Sequence, residues 1–271
     1  MATESLPVSG GIAFTNFITN PDYTTTISSV SSESNFYDAD NLLVESRSKR
    51  WRSVGDGASQ VTFYFDGTSV LPTFLALVDS NLADDETFIL KGATDAAITT
   101  SVDTYTLTSH AQSNNKVIRW YLGDPDSGSA TAKPYWQITF PSYTTAEGYH
   151  TVGTVWIGTY LGFRPSSVGM TNINDSIRST AYGGTVYSDI RNVYRDISVS
   201  DDLLTFDEAY ALSNALNSQT DRPVIVDLHG TATTDALEKE SAYYARVDSS
   251  SLSLTSSVQN SVNMRFVEIR S

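Results

Sequence analysis

The chain has 271 residues, enough for one large or two ordinary domains, and its 40% hydrophobic and 11% aromatic content argues for a packed core and against disorder. Seventeen basic against 31 acidic residues leave a formal charge of −14, a field that repels a phosphate backbone and excludes nucleic acid as a partner. The absence of cysteine excludes disulfides, thiolate metal sites and a cysteine nucleophile together.

No apolar run is long enough to span a bilayer, so no membrane insertion is expected. The opening MATESLPVSGG has neither the basic start nor the apolar segment of a signal peptide, and folding in a cytoplasm is expected. Residues 1–11 are small and polar, and read as an arm that is either flexible or docks on a neighbour.

From residue 12 to 165 the pattern is β almost throughout. Gln60 to Phe65, Phe74 to Asp79, Thr87 to Lys91, Lys116 to Tyr121, Tyr135 to Phe140 and Val152 to Tyr160 are short, and rich in β-branched and aromatic residues. Gly, Asp, Asn, Ser or Pro clusters separate them. Trp136, Ile138 and Phe140 alternate with Gln137 and Thr139, as a strand with one buried face should. A run of such strands without a helix predicts a β-sandwich or jelly roll.

Residues 166–184 hold few large apolar side chains and end in Gly183 and Gly184, and they read as a linker. Residues 185–271 read as a small α+β domain, an antiparallel sheet with one helix. Arg195, Ile197 and Val199 alternate as a strand. Thr205 and Glu208 have the spacing of a capping box, with Asp207 and Glu208 at the positive end of the helix dipole. Ala209, Leu212, Ala215 and Leu216 then form one apolar helical face. Pro223 to Leu228, Tyr243 to Val247 and Val262 to Ile269 complete the strands.

Two resemblances follow from these residues. Asp40, Asn41, Leu42 and Leu43, then Arg50, Trp51, Arg52 and Ser53, then QVTFYFDG and FLALVDSNL, resemble the opening of galactose-binding-like (discoidin-type) jelly rolls. They are most similar to the versions in structural proteins of tailed bacteriophages. The later LTFDEAYAL, RPVIVDL and NMRFVEIR resemble the sheet-and-helix domain of phage tail-tube, distal-tail or baseplate proteins. The resemblance implies a non-enzymatic virion protein, made in the host cytoplasm, that assembles with other virion structural proteins and with copies of itself. The alternative is a host-receptor adhesin or carbohydrate-binding module that takes a surface glycan.

Candidate contacts follow from side-chain chemistry. Arg47, Lys49, Arg50 and Arg52 flank Trp51; they read either as an anion or partner patch with Trp51 as a stacking platform, or as a strand edge with Trp51 in the core. Tyr187, Tyr194, Tyr243 and Tyr244 are candidates for an assembly interface, or for ordinary packing on a half-buried sheet. For the adhesin, a solvent-facing Trp51, Trp120 or Trp136 at a loop end is the expected signature. Asp84, Asp85, Glu86, Asp124 and Asp126 lack calcium-loop spacing and read as turns. His110, His150 and His229 lack zinc spacing, and no nucleophile elbow or phosphate loop occurs, so no cofactor, metal or catalytic residue is expected.

Overall fold

A computed structural model describes residues 10–45, 49–109, 117–126, 128–142, 147–174, 176–180, 186–189, 193–219, 222–228, 241–255 and 260–269. The protein is mainly β, with a single α-helix among the described residues. Contacts divide the chain into two units, Met1–Phe163 with Ile225–Tyr243, and Arg164–Val224 with Tyr244–Ser271. The sequence led us to expect one crossing between domains, but the chain visits the first unit twice. The expected arm lies outside the described residues except at its end, where Gly11 opens a strand.

The first unit begins with β1 (Gly11–Asn16), β2 (Thr25–Val30), a 3-10 turn at Ala39–Leu43, β3 (Trp51–Arg52), β4 (Ser59–Phe65) and β5 (Phe74–Val78). It continues through β6 (Thr87–Ala93), β7 (Asp103–Thr108), β8 (Val117–Tyr121), β9 (Tyr135–Phe140), β10 (Thr151–Val152) and β11 (Thr154–Gly162). The second unit carries β12 (Pro165–Ile173), β13 (Ile177–Thr180), β14 (Val186–Asp189), β15 (Tyr194–Leu204) and α1 (Phe206–Asn217). β16 (Pro223–Asp227) and β17 (Ala242–Leu254) take the chain between units, and β18 (Asn260–Glu268) ends it.

The first unit is a β-sandwich. One sheet has the order β2-β4-β9-β6-β7; the other contains the run β16-β1-β11-β5-β8. The period of two decides what lies between them: Val61, Phe63 and Phe65 from β4, Trp136, Ile138 and Phe140 from β9, Leu75 and Leu77 from β5, Val155 and Ile157 from β11. Trp120 of β8 stacks on Phe88 of β6 at 5.0 Å and so joins the two sheets. β5 and β8 are buried along their whole length, hence on both faces, which is why neither alternates in sequence. On the face of β8 turned from the core, Arg119 pairs with Asp227 of β16, and Tyr121 donates to the same carboxylate at 2.6 Å. Ser241 completes that buried network at 2.9 Å from both Arg119 and Asp227.

β1 is bulged between Ala13 and Thr15, and the side chain of Asn16 satisfies the backbone that the bulge displaces. Its Nδ2 donates to the Val155 carbonyl at 3.0 Å, and its Oδ1 accepts from the amides of Ile157 and Ile18 at 3.2 Å. Opposite the bulge, Gly158 lets the Thr15 carbonyl approach so closely that a Cβ there would lie 1.7 Å from its oxygen.

In the second unit the strand order is β12-β15-β18-β17, with β13 paired to β14. The residues expected to form a linker are instead β12 and β13. β12 escapes the period-two pattern because every residue from Ser166 to Asn172 is exposed, so no face needed to be apolar. α1 packs on β15 and β18 and buries Ala209, Leu212 and Leu216, while Ile197, Val199, Val262, Met264 and Phe266 are the buried apolar residues of those strands. On the opposite strand face Arg265 holds Asp196 through a two-pronged ion pair and reaches Asp248 at 3.3 Å.

Candidate functional site

Strand register gathers the long connections at one end of the first unit. β2 leaves, β4 enters and β9 leaves at neighbouring positions, through the pairs Val30↔Val61 and Ser59↔Phe140. The segments 31–58 and 141–150 therefore share an end of the sandwich, and β3 and β10 tie them together through Arg52↔Thr151 and Trp51↔Val152.

Backbone bonds fix this end closely. Tyr37 N donates to the Ser34 carbonyl at 2.8 Å, closing a tight turn that leaves Phe36 88% exposed. The Glu33 carboxylate takes the amide of Ala39 at 3.0 Å and anchors the far side of that turn. Arg52 N donates to the Tyr37 carbonyl at 3.0 Å, and Ser34 N donates to the Arg52 carbonyl at 2.9 Å. From the segment after β5, Asn81 donates to the Tyr149 carbonyl at 2.6 Å and accepts from Thr151 N at 2.8 Å. Its Nδ2 also lies 3.2 Å from the Glu147 carboxylate. Gly148, at φ 73, provides the left-handed turn that brings Tyr149 over the site.

The outcome is an arginine between rings. The Arg52 guanidinium carbon sits 3.4 Å from the ring centroid of Tyr149 and 5.8 Å from that of Tyr37, which is itself 40% exposed. Among the described residues the Arg52 side chain meets these two rings and no carboxylate, and its Nε has no hydrogen-bond partner. Phe36, next to Tyr37 in the chain, and Val54, two residues after Arg52, are exposed.

The residues singled out in the sequence fare differently. Arg47 lies outside the described residues. Trp51 is fully buried and packs on Phe140 at 5.0 Å, so it cannot be the stacking platform, because a strand alternates and its neighbours Arg50 and Arg52 take the outer side. Arg50 turns to Asp79 at 3.9 Å; only Arg52 enters the ring cluster. The expected solvent-facing tryptophans do not occur: Trp51, Trp120, Trp136 and Trp156 are all buried. The exposed aromatics of the first unit are Phe36 and Tyr37, with Tyr149 half-buried; in the second unit Phe206 and Tyr210 of α1 are exposed.

Of the tyrosines, Tyr243 and Tyr244 are buried at the start of β17, where successive residues on both faces are covered, so they are withdrawn as interface candidates. Tyr194 is half-buried in β15, and Tyr187 falls in β14, its side chain outside the described residues. His150 is a packing residue: it is buried against Phe140, its Nε2 reaches the Gly57 carbonyl at 3.1 Å, and burial holds its pKa below the usual value. His110 and His229 lie outside the described residues. No group of three or more acidic or histidine side chains that could hold a metal occurs among the described residues. Asp126 accepts from Thr106 at 2.9 Å in a turn.

No family model matches the chain, and no curated protein matches it. Solved structures do. A chitosan-binding module from a chitosanase/glucanase of Paenibacillus sp. IK-5 is 16% identical, with 55% of this chain covering 99% of that one at a TM-score of 0.38. The family 32 carbohydrate-binding module of C. perfringens NanJ, in complex with galactose, is 12% identical, with coverages of 51% and 93% and a TM-score of 0.37. The lectin domain of lectinolysin, complexed with Lewis B antigen, is 8% identical, with coverages of 54% and 98% and a TM-score of 0.39. These neighbours are carbohydrate-binding and lectin domains, at a likeness too distant to bear on the residues of this site.

Proposed function

We propose that this chain is a binding protein without turnover, whose first unit takes a saccharide at the loop end formed by Phe36, Tyr37, Arg52 and Tyr149. The observation that carries the reading is Arg52, held against two tyrosine rings with no carboxylate partner among the described residues, with an exposed Phe36 next to Tyr37 in the chain. A sugar ring has an apolar face that stacks on an aromatic side chain and a rim of hydroxyls or a carboxylate that accepts from a guanidinium. Both partners are present here, and the interlocked backbone holds them before a ligand arrives, which lowers the entropy cost of binding.

Screening the protein on an array of neutral, uronic-acid and sulfated glycans, followed by calorimetry on the strongest hit, tests this reading. Phe36→Ala, Arg52→Ala and Tyr149→Ala should each weaken binding by about tenfold or more, the size of a lost stacking or charge-assisted contact. Phe36→Ala is the decisive variant, because its exposed ring contributes little to folding. No binding to any glycan, or binding indifferent to all three changes, would sink the proposal.

A second reading, a structural subunit of a tailed-phage virion, follows from the resemblances in the sequence. The uncharged strand β12, exposed from Ser166 to Asn172, favours it.

A further inference from the structure

β12 ends its sheet: it pairs with β15 on one side, and no other strand pairs with it among the described residues. Natural edge strands carry a charge, a proline or a bulge that keeps other strands away. In the first unit β7 carries Asp103, β8 carries Arg119, and β2 is bulged between Ile27 and Ser29. β12 carries Pro165 and a register shift between Pro165 and Ser167 at its first end only; from Ser167 to Ile173 it has no charged residue, no proline and unbroken register with β15. In a chain with 18% charged residues, its sequence SSVGMTNI is uncharged throughout.

That segment is also close to self-complementary. An antiparallel pair related by a twofold axis through Gly169 sets Val168 against the partner's Met170, Ser167 against the partner's Thr171 and Ser166 against the partner's Asn172. Val168 and Met170 oppose Val199 and Ile197 in register, so they lie on the sheet face that α1 covers further along, yet they are 41% and 53% exposed. Two apolar pairs would thus be buried by the contact. The strand itself brings no like charges together.

We infer that the free edge of β12 is a docking site for a second copy of this chain, joined antiparallel about Gly169. This contact stands independently of the saccharide site. A single strand pair of this length belongs to the small class of interfaces, so the dimer should be weak and depend on protein concentration.

Sedimentation velocity from about 1 µM to about 500 µM should pass from the monomer to twice the 29.5 kDa chain mass. Val168→Lys with Met170→Lys, which installs the charges that other edges carry, should raise the dissociation constant at least about tenfold while leaving the circular dichroism unchanged. The absence of cysteine permits a second, geometric test. Gly169 tolerates a Cβ, which would meet only the Ser198 Cβ at 3.8 Å, and residues facing each other across an antiparallel pair lie within disulfide reach. Gly169→Cys should therefore form a disulfide-linked dimer under mild oxidation much faster than Ser253→Cys, an exposed control in β17. A monomer at every concentration overturns the inference, as does a dimer that survives the two lysines or cross-links no faster at Gly169→Cys than at the control.

Discussion

Two residues bear constraints out of proportion to their size. Gly158 sits where the β1 bulge drives the Thr15 carbonyl toward β11, and a methyl group there has no free direction, since the Trp156 indole nitrogen lies 3.0 Å away on another side. Gly158→Ala should destabilise the protein by about 3 kcal/mol or more, which urea denaturation would read as a lower midpoint at unchanged slope. Asp201 presents the opposite problem, a charge in a place that disfavours it. Its carboxyl is fully buried, one oxygen accepts from Arg164 N at 3.0 Å, and the other has no partner among the described residues. Burial first, and then the nearby Asp202 and Glu208 carboxylates, push its pKa up to about 6 against the Arg164 amide that holds it down. The folded protein therefore binds this proton more tightly than the unfolded chain does. The resulting stability is complete below about pH 4 and is lost as pH rises through about 6. Asp201→Asn should accordingly melt higher than the parent at pH 8, by about 1–2 kcal/mol in stability, with the difference closing near pH 4. Equal differences at both pH values would exclude the carboxyl as their source.

Among the elements, α1 is the one whose sequence and structure coincide most closely, and its signal is local chemistry. Thr205 accepts from Glu208 N at 3.3 Å while the Glu208 carboxylate accepts from Thr205 N at 2.8 Å, so the capping box read from spacing forms as read. The Thr205 hydroxyl, which donates to the Glu208 carboxylate at 2.7 Å, and then the Thr205 amide hold that carboxyl below the usual range. Thr205→Ala removes one half of this exchange and should cost about 1 kcal/mol, measurable by thermal unfolding; a neutral result would mean that packing on β15 and β18 alone fixes the helix start. β9 was equally legible, because one covered face and one open face impose alternation. β12 was not, since a strand exposed on both faces imposes no pattern and its serines, threonine and asparagine look like a connection. The loop-end site was hidden for a different reason. Phe36, Tyr37, Arg52 and Tyr149 come from three distant stretches joined by the β3 and β10 pair, and none belongs to a spaced motif. The only trace was aromatic residues inside turn-rich stretches, SNFYD and EGYH, where no strand face asked for them.

At the scale of the whole molecule, β content and the sandwich were readable because hydrophobic periodicity reports on neighbours a few residues away. The order in which the chain visits its two units was not, because it depends on pairings across more than 200 residues, such as Ile12 with Val226. That order has a consequence for synthesis. β1 is made before the other strands of the first unit, yet the strand that shields its flank, β16, follows only after residues 164–222. Until then the nascent sandwich has every other strand of its two sheets and one bare margin, while α1 and its cap have already been made. A message truncated anywhere in that interval would release a body open along β1, and the cell would meet it as a client for chaperones.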